Sequence, residues 1–286
     1  MTTLAIFINQ AKERALQTAK SIQDLQDNLG FRLVTCQEPL AKWLDLPKEE
    51  GTIPKSCIVV GGDGTLLTAA KHYAPKNIPL LGVNAGQLGF LSEVEISSIN
   101  EALKKLLVGK YQLDQRSMLA VAVRREGMDI ANYLGLNDTV VTRGTFARII
   151  TVDIRISGHR ADRYRADGVI VATPTGSTAY SLAAGGPVVD PQAEVLVVTP
   201  ICPHSLQGRA MVVRDQETVE LEVVHVGGEV MLTVDGQVGY PLQAGDLVTV
   251  SRSPVVTRLI RFGDQGFYDN FRSRIIAKRE VDSGEI

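Results

Sequence analysis

The chain has 286 residues, 44% of them hydrophobic, and a mean hydropathy of +0.05. That supplies a core for one large domain or two of ordinary size and excludes global disorder. Lys and Arg number 30 against 32 Asp and Glu, a formal net charge of −2, so no bulk attraction to nucleic acid or an anionic membrane is expected.

Strand-like and helix-like segments alternate through the first third. Leu4–Ile8 predicts a strand. Ala11, Ala15, Ala19, Ile22, Leu25 and Leu29 then recur at helical spacing, with Gly30 placed to cap the end. Phe31–Cys36 and Cys57–Val60 read as strands, Leu66–Tyr73 as a helix and Pro79–Val83 as a fourth strand. Ser98 and Glu101 have capping-box spacing ahead of Leu103, Leu106 and Leu107, and Gly109 marks the stop. This order implies a parallel sheet covered by helices, a Rossmann-like α/β domain over residues 1–111.

From residue 112 the period changes. Met118–Val123, Arg148–Ser157, Val219–Val224, Val230–Val234 and Leu247–Ser251 favour alternation, strictly so at Ile150, Val152, Ile154 and Ile156. Such a pattern buries one face of a strand and predicts a β-rich, sandwich-like second domain over 112–260. Ser177–Ala184, entered through Pro174-Thr175-Gly176, reads as its helix. Residues 261–286 turn helical again, with Phe267, Phe271 and Ile275 four apart, and are expected to return to the first domain.

Cys36, Cys57 and Cys202 lie far apart with no C-x-x-C pair. They fit a reducing, cytoplasmic setting and argue against a disulfide framework or a zinc centre. Met1-Thr2-Thr3-Leu4 lacks the character of a signal peptide. No run approaches ~18 apolar residues, so no membrane span is expected. His72, His159, His204 and His225 are scattered, without a hydrolytic triad or H-E-x-x-H spacing, and His72 reads as a solvent-facing helix residue.

The clearest chemistry lies in Ile58-Val59-Val60-Gly61-Gly62-Asp63-Gly64-Thr65. An apolar strand ends in glycines whose backbone N–H groups can approach a phosphate. Asp63 then stands at the strand's C-terminal end, where open α/β sheets place ligands. A carboxylate in a phosphate cradle needs a reason: it takes a proton from a hydroxyl or helps hold a metal ion. Both imply phosphoryl transfer. No Lys-Ser/Thr pair follows, so this is not a P-loop, and it is not G-x-G-x-x-G. Phosphate contact would rest on the backbone of Gly61, Gly62 and Gly64, on Thr65, and on the helix N-terminus. The plain alternative is a glycine turn with a capping Asp.

A second glycine loop, Gly82 to Leu91, follows the next strand and includes Asn84 and Phe90. Loops after neighbouring parallel strands would line one crevice. Leu136-Asn137-Asp138, with Arg143 and Arg148 beyond it, also reads as simple turn chemistry. Asp162, Arg163, Arg165 and Asp167 read as a solvated edge. Thr173, Thr175, Ser177, Thr178 and Ser181 place five aliphatic hydroxyls in an otherwise apolar segment. They can bond ribose, phosphate or an adenine edge, whereas N-capping explains at most two of them. Val234-Asp235-Gly236-Gln237 reads as a hairpin.

Taken together, Gly61-Gly62-Asp63-Gly64-Thr65, the Asn84 to Leu91 loop, Asn137-Asp138 and Asp167 through Pro187 resemble the bacterial NAD kinases over nearly the whole chain. The first motif is shared with diacylglycerol and sphingosine kinases, and the Thr173-to-Pro187 segment separates NAD kinases from them. The family's second acidic motif is Asn-Glu or Asn-Asp, and this chain has the Asp form. The resemblance implies an N-terminal α/β domain and a β-rich C-terminal one, assembled as a homodimer or homotetramer. It implies transfer of the ATP γ-phosphoryl group to NAD, with a divalent cation, usually Mg²⁺, for which no side-chain ligand is identified. Asp63 then matches the proton acceptor for the adenosine 2′-hydroxyl, and Gly64 contacts NAD beside it. Phe90 lines the adenine pocket, and Asn137 and Asp138 contact adenine and ribose. Arg148, Arg165 and Asp167 match further NAD positions. Thr178, Ala179, Tyr180, Ser181, Leu182 and Ala183 match a binding segment, and Gln237 a late contact. The alternatives are a lipid kinase of the diacylglycerol or sphingosine type, which needs an apolar acceptor pocket, and a non-catalytic NAD(P)-binding regulator.

Overall fold

A computed structural model describes residues 1–86, 89–144, 148–205, 208–263, 267–268 and 271–272. They fall into two units. One is Met1–Gln115 with the described residues from Thr257 onward; the other is Arg116–Val256.

The first unit runs β1 (Thr2–Ile8), α1 (Glu13–Asp24), α2 (Gln26–Leu29), β2 (Phe31–Val34), α3 (Glu38–Leu44), β3 (Cys57–Gly61), α4 (Asp63–Tyr73), β4 (Leu80–Asn84), β5 (Val94–Glu95) and α5 (Ile99–Leu107). The strand order is β2-β1-β3-β4, all parallel, and β5 also pairs with β4. Every residue of β3 and β4 is buried, which explains why they read as unbroken apolar runs. Ala15, Ala19 and Ile22 of α1 share a core with Leu4, Ile6 and Ile8 of β1 and Ile58 and Val60 of β3.

Two sequence expectations are corrected here. The pattern from Ala11 to Leu29 is not one helix: α1 ends at Asp24, and Gly30, at φ 70°, closes the separate turn α2. The Ser98 capping box does not form. Ser98 ends a 3₁₀ turn, Ile96–Ser98, and at φ −101°, ψ 7° it lacks the extended geometry that side-chain capping needs. The stop at Gly109 does form: Gly109 N–H reaches Leu106 O at 3.2 Å and Lys110 N–H reaches Lys105 O at 2.9 Å, a Schellman closure at φ 74°.

The second unit continues β6 (Gln112–Arg125), β7 (Met128–Gly135), β8 (Asp138–Arg143), β9 (Arg148–Ile156), β10 (His159–Ala166), β11 (Gly168–Ala172), α6 (Tyr180–Ala183), β12 (Val195–Ile201), β13 (Met211–Arg214), β14 (Val219–Gly227), β15 (Val230–Val234), β16 (Val238–Leu242) and β17 (Leu247–Arg261). Strands β6 and β17 carry the chain across the unit boundaries, and Leu259 of β17 pairs in parallel with Leu80 of β4 in the first unit. In the second unit, β10-β9-β14-β17 form one sheet, with β6 beside β17 and β7 beside β6. A second sheet has the order β13-β12-β11-β8-β15-β16. Ile150, Val152 and Ile154 of the first sheet pack with Val141, Val169, Val171 and Val198 of the second in one core, so the two form a sandwich. The outer face of β11 is also covered: Ile170 and Ala172 pack with Ala184 and Val189. The charged strand β10 lies at a sheet edge, where such residues oppose further pairing.

The helix expected over Ser177–Ala184 is broken. A 3₁₀ turn spans Thr175–Thr178, Ala179 departs to φ −98°, ψ −128°, and only Tyr180–Ala183 is α-helical. Phe267 and Phe271 are helical with ring centroids 5.9 Å apart, while Ile275 lies outside the described residues. Among the described residues no helix is long and apolar enough to cross a membrane.

Candidate active site

In the first unit the site is built at the ends of β3 and β4. Their register sets Gly61 beside Asn84, so both glycine loops leave the same edge of the sheet. Gly62 is the extended N-cap of α4 and Asp63 its first helical residue. Each carboxylate oxygen of Asp63 accepts a backbone N–H: Phe90 at 2.8 Å and Leu91 at 3.1 Å. A Cβ on Gly89 would lie 2.1 Å from Asp63 Oδ1, so only glycine lets the second loop close on this carboxylate. Asn84 turns its carbonyl oxygen onto Gly86 N–H at 2.9 Å, which shapes the loop. Gln87 and Leu88 lie outside the described residues.

The three glycines around Asp63 are not equivalent. A Cβ on Gly61 would meet Thr65 Oγ1 at 2.3 Å, so the protein's own packing demands that glycine. Among the described residues, a Cβ on Gly62 or Gly64 would meet no atom within 4 Å. Neither is at positive φ, so neither the backbone conformation nor packing among the described residues demands glycine at these two positions. An incoming group pressed against the backbone does demand it.

In the second unit, Asp235 organises the Asn137-Asp138 turn. This carboxylate, 8% exposed, accepts Leu136 N–H at 3.0 Å, Asn137 N–H at 2.8 Å and Asp138 N–H at 3.2 Å. Its own N–H donates to Asp138 O at 2.9 Å. Asn137 Oδ1 is buried with no partner among the described residues, an acceptor left over after the turn is built. From the other side Thr173 Oγ1 donates to Leu136 O at 2.7 Å, and Gly176 approaches so closely that a Cβ would sit 2.0 Å from Asn137 O. Gln237 is exposed in the same hairpin turn as Asp235.

The dense hydroxyls of 173–181 have a largely internal explanation. Thr173, Ser177 and Ser181 are fully buried. Ser177 Oγ accepts Val189 N–H at 3.0 Å, and Ser181 Oγ lies 2.9 Å from Thr199 Oγ1. Thr175 Oγ1 accepts from Arg116 at 3.3 Å, and Thr178 donates to Thr175 O at 3.2 Å. Beyond them Ala179 and Leu182 are half-buried, Ala183 is exposed and Tyr180 is 46% exposed.

Arg148, Arg165 and Asp167 come together in a cavity of about 540 Å³, joined by Arg143, His204 and His225. Strand register explains the meeting, because Thr151 of β9 pairs with Arg165 of β10 on one side and His225 of β14 on the other. Arg143 holds Asp167 through its Nε at 2.6 Å and Nη2 at 3.3 Å, and this contact raises the Arg143 guanidinium above its ordinary value. Three arginines against one carboxylate leave the cavity with an excess of positive charge, which suits an anionic group. Sequence reasoning singled out Arg143 without a role and counted the histidines as scattered. His225 shares the parity of Val219, Leu221 and Val223, but a register shift after Val223 turns it out of the core.

A parallel α/β unit with a glycine-carboxylate loop and a β-sandwich with a basic cavity define a nucleotide-dependent phosphotransferase. Comparison with known proteins specifies it further. Residues 44–111 match the family described as the ATP-NAD kinase N-terminal domain, and residues 136–262 match the ATP-NAD kinase C-terminal domain. The chain is 40% identical over 282 residues to the NAD kinase of Heliobacterium modesticaldum, covering 96% of this chain and 99% of that protein. It is 41% identical over 280 residues to the NAD kinase of Moorella thermoacetica, covering 96% and 89%. Among solved structures it is similar to an NAD kinase from Archaeoglobus fulgidus in complex with ATP, with TM-score 0.72, 25% identity and coverage of 97% and 99%. The yeast NADH kinase complexed with NADH shares the fold at TM-score 0.85 and 22% identity, covering 97% and 88%. The chain belongs to the NAD kinase family.

Proposed function

We propose that this chain transfers the γ-phosphoryl group of ATP to the 2′-hydroxyl of the adenosine ribose of NAD, giving ADP and NADP. The observation that carries the reading is the glycine loop. It places a fixed carboxylate at a helix N-terminus beside two glycines, Gly62 and Gly64, at which a Cβ would meet no atom of the described residues within 4 Å.

A ribose hydroxyl is a weak nucleophile, so positioning and charge stabilisation do most of the work of phosphoryl transfer. Asp63 is assigned as proton acceptor for that hydroxyl, a role typically contributing ~10²–10⁴-fold. The Phe90 and Leu91 amides hold its carboxylate in one orientation. The backbone around Gly62 and Gly64, with the N-terminus of α4, is assigned to phosphate oxygens. Asp63 brings a hard oxygen donor to the loop, the type of ligand that would suit Mg²⁺. Mg²⁺ held there would supply charge neutralisation to the transferred group, a role otherwise taken by a P-loop lysine.

For NAD, Asn137 and Asp138 are assigned to adenine and ribose, and the unpartnered Asn137 Oδ1 suits an amino donor. Phe90, Gln237 and the Thr178–Ala183 segment are assigned as further contacts, with fully buried Ser181 bonded to Thr199 and anchoring the segment. Arg148, Arg165 and Asp167 are assigned to the rest of the dinucleotide, with Arg143 setting the Asp167 carboxylate. We further infer a homo-oligomer, dimer or tetramer, acting in the cytoplasm, where the free thiols of Cys36, Cys57 and Cys202 stay reduced. Sedimentation velocity reads the assembly state.

The activity is tested by a coupled assay for NADP with NAD or NADH as acceptor, and with ATP and Mg²⁺ present or omitted. NADP formation dependent on both ATP and Mg²⁺ is expected. Absence of NADP under every condition would overturn the reading.

A further inference from the structure

Away from Asp63, at the other end of α4, three side chains with metal-binding atoms converge. Cys36 follows β2, Glu49 lies between α3 and β3, and His72 is in the last turn of α4. Their Sγ, carboxylate oxygen and ring nitrogen all lie within 4.8 Å of one another. Among the described residues no other group of three such ligands gathers as closely. The three line an open cavity of about 400 Å³.

The cluster already holds a cation. Lys76 Nζ lies 2.7 Å from His72 Nε2 and 3.5 Å from Glu49 Oε2. An ammonium only donates, so His72 Nε2 must be the acceptor, with its lone pair turned into the cluster. The Glu49 side chain is only 10% exposed, and buried Tyr73 donates its hydroxyl to the other carboxylate oxygen, fixing it. Tyr73 Oη also lies 3.5 Å from Cys36 Sγ. Such outer hydrogen bonds orient metal ligands. Lys76, by contrast, is 46% exposed beyond the helix end and can withdraw into water.

We propose that Cys36, Glu49 and His72 bind one divalent transition-metal ion of the zinc class, displacing the Lys76 ammonium. A thiolate, an imidazole and a carboxylate suit Zn²⁺ and disfavour Mg²⁺ or Ca²⁺, which take oxygen ligands. Ligand atoms around tetrahedral zinc stand about 3.4–3.6 Å apart, so the three atoms, now within 4.8 Å of one another, have to draw together as the ion binds. Water completes the fourth position, and the thiol proton leaves to solvent when the ion binds. The ion then ties the end of β2, the loop carrying Glu49 and the C-terminal end of α4 together. Sequence spacing hides this group because its members come from three separate segments.

The test uses the purified full chain, stripped of metal with a chelator and titrated with Zn²⁺ or with Co²⁺ as the optical probe. One equivalent of Zn²⁺ is expected to bind and raise Tm, and Co²⁺ is expected to show a thiolate charge-transfer band. Cys36→Ser should abolish that band, while Cys202→Ser, at an exposed thiol, should leave it. His72→Ala should weaken binding at least about tenfold, and Lys76→Met should tighten it at least about tenfold by removing the competing charge. Failure to bind stoichiometrically overturns the proposal. So does a band lost in Cys202→Ser and kept in Cys36→Ser, or an affinity unchanged or weakened by Lys76→Met. In those cases the cluster is a polar clasp and nothing more.

Discussion

Asp63 and Asp235 are both carboxylates held by backbone amides, and they differ in what remains exposed. Asp63 is half-exposed and accepts two N–H groups, whereas Asp235 is buried and accepts three. Asp235 therefore acts as scaffolding for the Asn137-Asp138 turn. Asp235→Ala leaves three amides without their acceptor, at about 1–3 kcal/mol each, so a loss of at least about 3 kcal/mol is expected in urea unfolding. A loss below about 1 kcal/mol would mean the turn holds its shape without it. Asp63→Asn is expected to lower kcat at least ~10²-fold while NAD affinity changes little. An amide offers one acceptor oxygen where the carboxylate offers two, so loop closure weakens as well. Asp63→Glu separates the effects, because it restores a base at the wrong reach. A kcat within about threefold of the parent in Asp63→Asn would remove Asp63 from proton transfer.

At the scale of the element, the glycine loop makes a sharper forecast than its motif does. Gly64→Ala sits inside α4 with open space around the new methyl, so stability should hold or rise by up to about 1 kcal/mol. Its nucleotide KM should nevertheless rise at least about tenfold, or about 1.4 kcal/mol of binding. Gly61→Ala should do the reverse first, lowering Tm through collision with Thr65. Thermal melts and initial rates on the two variants read both effects, and equal melting losses would contradict the division. The loop was legible in sequence because strand, glycines and carboxylate are contiguous. The Asp63 contacts to Phe90 and Leu91 were not, because they join residues 27 and 28 positions apart. The break at Ala179 was equally hidden: hydroxyls at 173, 175, 177 and 178 bond to nearby backbone and other segments in place of a regular helical ladder.

At the scale of the whole molecule, the change from helix–strand alternation to period two located the parallel unit and the sandwich, since periodicity reports which faces are buried. It carried no information on which strands meet. The basic cavity and the Asp235 nest both depend on that pairing. The sandwich also carries a pH dependence. Arg163, hydrogen-bonded to Asp153, holds that carboxyl below the usual range. Burial opposes the same shift at Asp246, but the Arg125 fork at 2.8 and 2.7 Å and Gln243 N–H at 2.8 Å still lower it overall. Depressed carboxylates contribute stability fully above their unfolded value of about 3.9 and lose it as pH falls through the folded values. Urea midpoints should therefore be retained down to about pH 5 and fall below about pH 4. Arg125→Met, which strands Asp246 in the core, should move that fall to higher pH; an unchanged acid limb would count against the assignment.

The most direct measurement is product analysis after incubating the purified chain with NAD, ATP and Mg²⁺. NAD phosphorylated at the adenosine 2′-oxygen, recognised by an NADP-specific dehydrogenase and formed in step with ADP, is the predicted result. ADP released without phosphorylated NAD, or phosphate on any other hydroxyl, would contradict the account.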